Sequence, residues 1–475
     1  MDNLKLSNSN PLVDIPVFIR RAILGYWIIY QFFLPLVFSL NRELVFTEEV
    51  IFVLLNSLLN LLILSPIIFK FDTVGLFHPL TFPALLALAR AKLQDPLSFF
   101  YVNSDDTGFL KSSLIQDFNT TVDANFKYVI FRILSILLIY AGYYLSQIRI
   151  TRVYNFYTNV PITRIYLTAG VATLFFFGFF ISQGGVKAYI DSWGMEGGRR
   201  QALEGITVFV SFLRTLYFIP LVWYISDPKN SIRNPIFLGS AVLFSFAGFL
   251  GSGSRTSLFN VVFLFLSAWI LRNRRVPSTT IILVGLIAFL LFGTLGQLRS
   301  SVTSKKSQTD LSVLSFSKIK DNLEYAISEG AKRQGEKPYI AVFGKVPEQE
   351  DYIYGLSFAS ILTTYIPRVI WEDKPHTVAY YTGKKIFHVG WSIPLGSEGE
   401  VYWNFSYWGL ILFFFWGRLF KIITTFFVSY YWAPGIAAVY LIFLLSGASI
   451  NSLNLGSLLQ QLLLIFVGLK FMKFI

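Results

Sequence analysis

The sequence predicts an all-α fold, a polytopic membrane helical bundle of about twelve transmembrane helices with one long, mostly helical external loop. Three observations predict it. Of 475 residues 54% are hydrophobic and 14% charged, too apolar a balance for a soluble chain of this size. Runs of about 20 apolar residues recur from Phe18 to the end, the length that about 30 Å of hydrocarbon requires. The basic residues gather in alternate loops, as orientation bias demands.

In chain order the spans fall at 18–40, 48–68, 74–91, 126–147, 164–182, 206–225, 236–250, 256–271, 279–298, 403–420, 434–450 and 453–470. Residues 1–298 thus hold nine helices, 299–402 form the long external loop, and 403–475 hold the last three helices. The first run carries Arg20 and Arg21 with no small-residue cleavage site after it, so it reads as a retained helix rather than a signal peptide. With the N-terminus inside, every internal segment is basic: Lys70; Arg149, Arg152 and Arg164; Lys229 and Arg233; Arg272, Arg274 and Arg275; Arg418 and Lys421; Lys470 and Lys473. The third candidate is short and broken by Pro79 and Pro83, yet removing it would put the 149–164 cluster outside. It is therefore counted as a crossing. The apolar run from Tyr352 to Pro367 fails the same parity test and reads as a helix lying in, or re-entering from, the outer interface. Ahead of it, Leu311, Leu314, Phe316, Ile319, Leu323, Ala326 and Ile327 recur at helical spacing, an amphipathic surface helix.

The formal charge of +13 lies mostly in short loops, where orientation explains it, and nucleic-acid binding is set aside. Without cysteine there is no disulfide, thiolate metal site or thiol nucleophile. Three histidines, His78, His376 and His388, make a poor basis for a metal centre, and none is assigned.

Several residues carry possible chemistry. GSGSRTS (Gly251 to Ser257) is a tight external turn that opens a helix, and the free N–H groups there favour an anion. Arg255 adds a fork of donors matching phosphate oxygens, the plain alternative being an arginine that snorkels to headgroups. IPRVIWEDKP (Ile366 to Pro375) sets Arg368 and Lys374 around Glu372 and Asp373, so these cations either meet substrate or satisfy local carboxylates. GSEGEVYWNFSYWG (Gly396 to Gly409) brings Glu398 and Glu400 to the membrane, where a carboxylate takes a proton from a sugar hydroxyl or simply stabilises a helix start. Arg199 and Arg200 are further outward cations, and Arg214, two turns into the sixth span, is expensive there and hence a functional candidate. His376 and His388 are candidates for a base or a sugar contact, the plain reading of a lone loop histidine being neither.

Together these segments resemble the Wzy-type oligosaccharide repeat-unit polymerases of bacterial surface polysaccharides. The resemblance rests on GSRTS at an outward helix start, IPRxxWxxKP in a long external loop, and ExxxNFSxxG (Glu400 to Gly409) leading into the next span. Arg333 with Gly344 fits an Arg, ten residues, Gly pattern of some members. The resemblance implies a GT-C-like, multi-spanning, metal-independent glycosyltransferase of the bacterial plasma membrane that needs no cofactor. Its substrate would be a polyprenyl-pyrophosphate-linked oligosaccharide, and a chain-length regulator is an expected partner. Arg255, Arg368, Glu398 and Glu400 would carry catalysis, while Arg199, Arg200, Arg214, Arg333, Lys374 and His376 would hold substrate. A ligase of finished polysaccharide and a lipid-linked sugar transporter are the competing readings.

Overall fold

The structure, a computed structural model, describes residues 12–40, 46–69, 75–89, 122–151, 154–157, 161–191, 207–252, 255–276, 338–363, 366, 370–389, 392–446 and 450–474. Every regular element among them is helical. The first half contains α1 (Val17–Tyr26), continued through a π-helical stretch at Trp27–Phe33 into α2 (Leu34–Leu40), then α3 (Phe46–Ile68), α4 (Thr81–Ala89), α5 (Val122–Leu145), α6 (Ile162–Ser182) and α7 (Val186–Asp191). Next come α8 (Thr207–Thr215), α9 (Phe218–Ser226), α10 (Pro228–Arg233), α11 (Pro235–Ser252) and α12 (Arg255–Asn273). The last part adds α13 (Pro338–Lys345), α14 (Leu356–Thr363), α15 (Val378–Tyr381), α16 (Ser397–Phe405), α17 (Leu410–Tyr430), α18 (Pro434–Ser446) and α19 (Ser452–Phe471).

Seven of the described helical stretches are long and apolar enough to cross a membrane, and three shorter apolar helices lie at Pro235–Gly251, Asn260–Asn273 and Pro434–Leu445. These ten coincide with ten of the twelve spans expected from sequence. Three details differ. Among the described residues the third expected span holds the nine residues of α4 as helix, about 13 Å at 1.5 Å per residue. The sixth is two helices, α8 and α9, joined by a turn at 216–217. The tenth starts earlier and ends later than read, because α16 leads through a bend at Ser406 (φ 52) into α17. The ninth span, 279–298, and the amphipathic segment 311–327 lie outside the described residues.

Local chemistry sets the helix ends. Asp227 caps α10 by accepting from Asn230 N (3.3 Å) with Pro228 in its first turn, and Asn451 caps α19 by accepting from Asn454 N (2.7 Å). Gly184 and Gly185 (φ 77 and 101) end α6, and Gly185 N returns to Phe180 O at 2.7 Å. Packing then fixes direction. α5 and α17 run the same way: Phe131 meets Phe413, and further along both helices the Lys421 ammonium covers the Tyr143 ring. They approach backbone to backbone, for a Cβ on Gly142 would collide with Phe414 O and one on Gly417 with Ile139 O.

The helix ends with basic flanks assemble together. Tyr154 N donates to Tyr430 OH (3.1 Å), Arg164 to Phe471 O (3.3 Å) and Asn234 Nδ2 to Tyr166 OH (2.6 Å), while Arg274 lies over the Tyr431 ring. At the other end, where α6, α11 and α16 finish or begin, Tyr189 OH meets Leu250 O (3.4 Å). One apolar core, containing Trp223, Phe244 and Leu441, serves α8, α9, α11, α12 and α18. A second, around Phe131, Phe343 and Trp403, joins α3 and α5 to α13, α16 and the start of α17.

Candidate functional site

The second core supports a polar cluster at the end of the bundle away from the basic flanks. α16 follows Gly396 at its N-cap, with Glu398 and Glu400 in its first turn, where free N–H groups favour acidic side chains. Two residues apart on a helix, these carboxylates face different surroundings.

Glu400 is fully buried. Its Oε1 accepts from Ser357 Oγ (2.5 Å) on α14, and its Oε2 accepts from Ser452 N (2.8 Å) at the first turn of α19. Asn404, one turn on, donates Nδ2 to Ser357 Oγ (2.9 Å) and to Glu400 O (2.7 Å). Ser452 Oγ in turn accepts from Val378 N (3.3 Å). One carboxylate thereby joins α14, α15, α16 and α19. Satisfied by charge-assisted bonds inside a packed core, it is a structural tie with no solvent face.

Glu398 points the other way and keeps 22% side-chain exposure, with Oε1 3.4 Å from Nε of Arg132. Arg132 lies about ten residues into α5, retains 18% side-chain exposure, and donates Nη1 to Tyr128 OH (2.9 Å) one turn earlier. Its buried Nε has no hydrogen-bond partner among the described residues. Tyr128 packs against Tyr339 of α13 at 4.5 Å between ring centres, and burial pushes the Tyr339 hydroxyl up to about 12, so it remains protonated at neutral pH. Further toward the start of α5, Lys127 bonds Asp123 (2.8 Å) and lies 3.7 Å from Glu348. Tyr407, 44% exposed, packs on Phe131 and Tyr402 beside them.

The remaining candidates divide. Lys374 donates Nζ to Ile366 O (2.6 Å) and Thr363 O (3.2 Å), placing its charge on carbonyls past the end of α14. His376 stacks on Tyr380 at 3.7 Å, and its backbone N reaches Tyr381 OH (3.5 Å). Both belong to the segment that Glu400 ties down. Arg214 lies elsewhere, in the first core's territory: its Nε donates to Gly251 O (2.9 Å) at the end of α11, and α8 and α11 touch there closely enough that a Cβ on Gly251 would press on Leu213 and Val210. The structure thus joins Arg214 to the last turn of α11, four residues before Arg255, the first residue of α12. The Arg255 side chain, and Arg199, Arg200, Arg333 and Arg368 altogether, lie outside the described residues.

Arg132 is the residue the sequence reading passed over. The signal was present: the sole charged residue between Tyr128 and Leu145 of a long, mostly apolar helix, with a tyrosine four residues before it. Fold and site define a polytopic helical membrane protein with a charged, tyrosine-lined cluster at one end of the bundle. No protein-family model, curated protein or solved structure matches the chain.

Proposed function

We propose that the protein is a polymerase of polyprenyl-pyrophosphate-linked oligosaccharide repeat units, acting at the outer face of a bacterial plasma membrane. The observation that carries the reading is the shared location of two chemistries. A partly open carboxylate with its arginine and the helix start that bears Arg255 both occupy the end of the bundle opposite the basic flanks. The resemblance of the three sequence segments to Wzy-type polymerases supports it.

In this reading a hydroxyl of the acceptor sugar attacks the anomeric carbon of the donor. The new glycosidic C–O bond forms as the bond to pyrophosphate breaks, and the hydroxyl proton passes to Glu398 or to water. The departing polyprenyl pyrophosphate gains negative charge, which Arg255 and Arg368, with the start of α12, are suited to balance without a metal. Glu400 holds Glu398's helix in place, and Lys374 and His376 belong to the same tied segment.

The test is reconstitution. The protein in detergent, with lipid-pyrophosphate-linked repeat unit and chelator but no nucleotide, is expected to yield longer lipid-linked chains. A ligase would leave the units unextended until a second acceptor lipid was supplied, and a transporter would change no covalent bond. Extension that required a divalent metal would keep the enzyme and reject this charge-balancing scheme.

A further inference from the structure

We propose that Arg132 and Glu398 form a subsite for neutral sugar hydroxyls of the oligosaccharide, and not for its pyrophosphate. The inference deepens the polymerase reading and rests on it. Three observations carry it.

The first is unmet hydrogen-bonding capacity. A guanidinium has five N–H donors; Arg132 spends Nη1 on Tyr128, and its Nε meets Glu398 only at 3.4 Å, without the geometry of a hydrogen bond. The pair is loose where a closed structural pair would be forked and short. Nε itself is enclosed, so a diol would meet the pair along its partly exposed edge, where the Arg132 and Glu398 side chains keep 18% and 22% of their surface, one hydroxyl donating to the carboxylate and a neighbouring hydroxyl oxygen accepting from a remaining guanidinium N–H.

The second is charge. Among the described residues, two cations here, Lys127 and Arg132, face three carboxylates, Asp123, Glu348 and Glu398. An entering pyrophosphate would meet surplus negative charge, whereas a neutral hydroxyl does not. The third is the wall. Tyr128, itself 2% exposed, backs the arginine together with Tyr339, and the 44%-exposed ring of Tyr407, packed on the adjacent Phe131, is the aromatic face left open for sugar C–H surfaces.

The experiment is equilibrium dialysis of the full-length protein in lipid nanodiscs. The probe is the repeat-unit oligosaccharide released by mild acid from the lipid-linked pool of the cells that carry the gene, labelled at its reducing end. The parent should bind it. Arg132→Gln and Glu398→Gln should each weaken binding at least tenfold, with Arg132→Lys in between. Inorganic pyrophosphate should not displace the sugar from the parent. Should a single variant fail to fold, the double variant Arg132→Gln/Glu398→Gln, which leaves no lone charge, carries the comparison. No binding by the parent, binding by folded variants equal to the parent's, or displacement by pyrophosphate would overturn the subsite. The two readings fail separately. Sugar bound through Arg132 and Glu398 without any extension of lipid-linked units would sink the polymerase and keep the subsite. Extension by variants that bind as the parent does would sink the subsite alone.

Discussion

The protein handles arginine differently in two regions at the same end of its bundle. Beside the first core, Arg214 donates to the carbonyl of Gly251, so the cation is held by main chain at the end of α11, immediately before the turn into α12. Beside the second core, Arg132 meets a tyrosine hydroxyl and a carboxylate, both on neighbouring side chains. Around the second, two cations, Lys127 and Arg132, face three carboxylates, Asp123, Glu348 and Glu398, among the described residues. The proposed function would divide the labour between them, with the leaving pyrophosphate at the helix start that bears Arg255 and the sugar at the acidic helix. α19 links the two, since Ser452 in its first turn bonds Glu400 and Gln460 further along accepts from Ser211 of α8 (2.9 Å).

The largest expected effect is all-or-none and tests whether both regions face outward. Single cysteines in this cysteine-free chain, at Asp373 and at Asn273, should react oppositely with a membrane-impermeant thiol reagent applied to intact cells. Asp373→Cys is labelled and Asn273→Cys is not. The reverse pattern would invert the bundle and remove both sites from the outer face. Next in size is the turn itself. Arg255→Ala should cost about 2–4 kcal/mol of transition-state stabilisation, as loss of a preorganised donor does. Arg255→Lys should be nearly as harmful, because a point charge does not replace a bidentate fork. Polymer length in a deletion strain reads the effect, and normal output from well-expressed Arg255→Ala would leave the turn as a connection only.

Much of this architecture was legible in the sequence because membrane solvation writes itself into composition. Long apolar runs and alternating basic loops located ten of the spans and grouped the ends that the contacts Tyr154 to Tyr430 and Arg164 to Phe471 bring together. Helix breaks were not legible, since the largely aromatic and apolar surroundings of 216–217 and 403–409 satisfy a hydropathy window whether or not the chain bends there. The site was half legible. Glu398 and Glu400 were singled out for their place at a helix start, but only the fold shows that one is sealed by Ser357 and Ser452 and the other opens toward Arg132. Two residues of separation turn a helical side chain by about 200°, and no spacing rule says which face is the buried one.

That contrast between adjacent carboxylates sets the next prediction. Glu400→Ala leaves Ser357 Oγ and Ser452 N without their acceptor in a closed core, a loss of about 2–3 kcal/mol for bonds to a charged group. The midpoint of thermal unfolding in detergent should fall, and the segment 338–405 should become more sensitive to protease. Glu398→Gln should leave both measurements near the parent's while lowering extension. If Glu398→Gln destabilised the protein as much as Glu400→Ala, the two carboxylates would share a structural role and the division drawn between them would be lost.

The smallest expected effect concerns a pair that resembles Arg132–Glu398 in type and differs in setting. Lys385 and Glu350 stand 3.9 Å apart with side-chain exposures of 43% and 26%, beyond hydrogen-bonding distance and open to counterions. Water and salt screen such a pair, and holding two long side chains together costs entropy, so its net contribution is about 0–1 kcal/mol. Lys385→Ala should therefore shift the unfolding midpoint by no more than a degree or two and leave chain extension unchanged at both low and high salt. The informative arm is the parallel measurement on Arg132→Gln, which should reduce extension at every salt concentration because its contact with substrate would be made in a partly desolvated pocket. Equal, salt-dependent losses in the two variants would mean that long-range field, rather than direct contact, is what the charges at this end of the bundle provide.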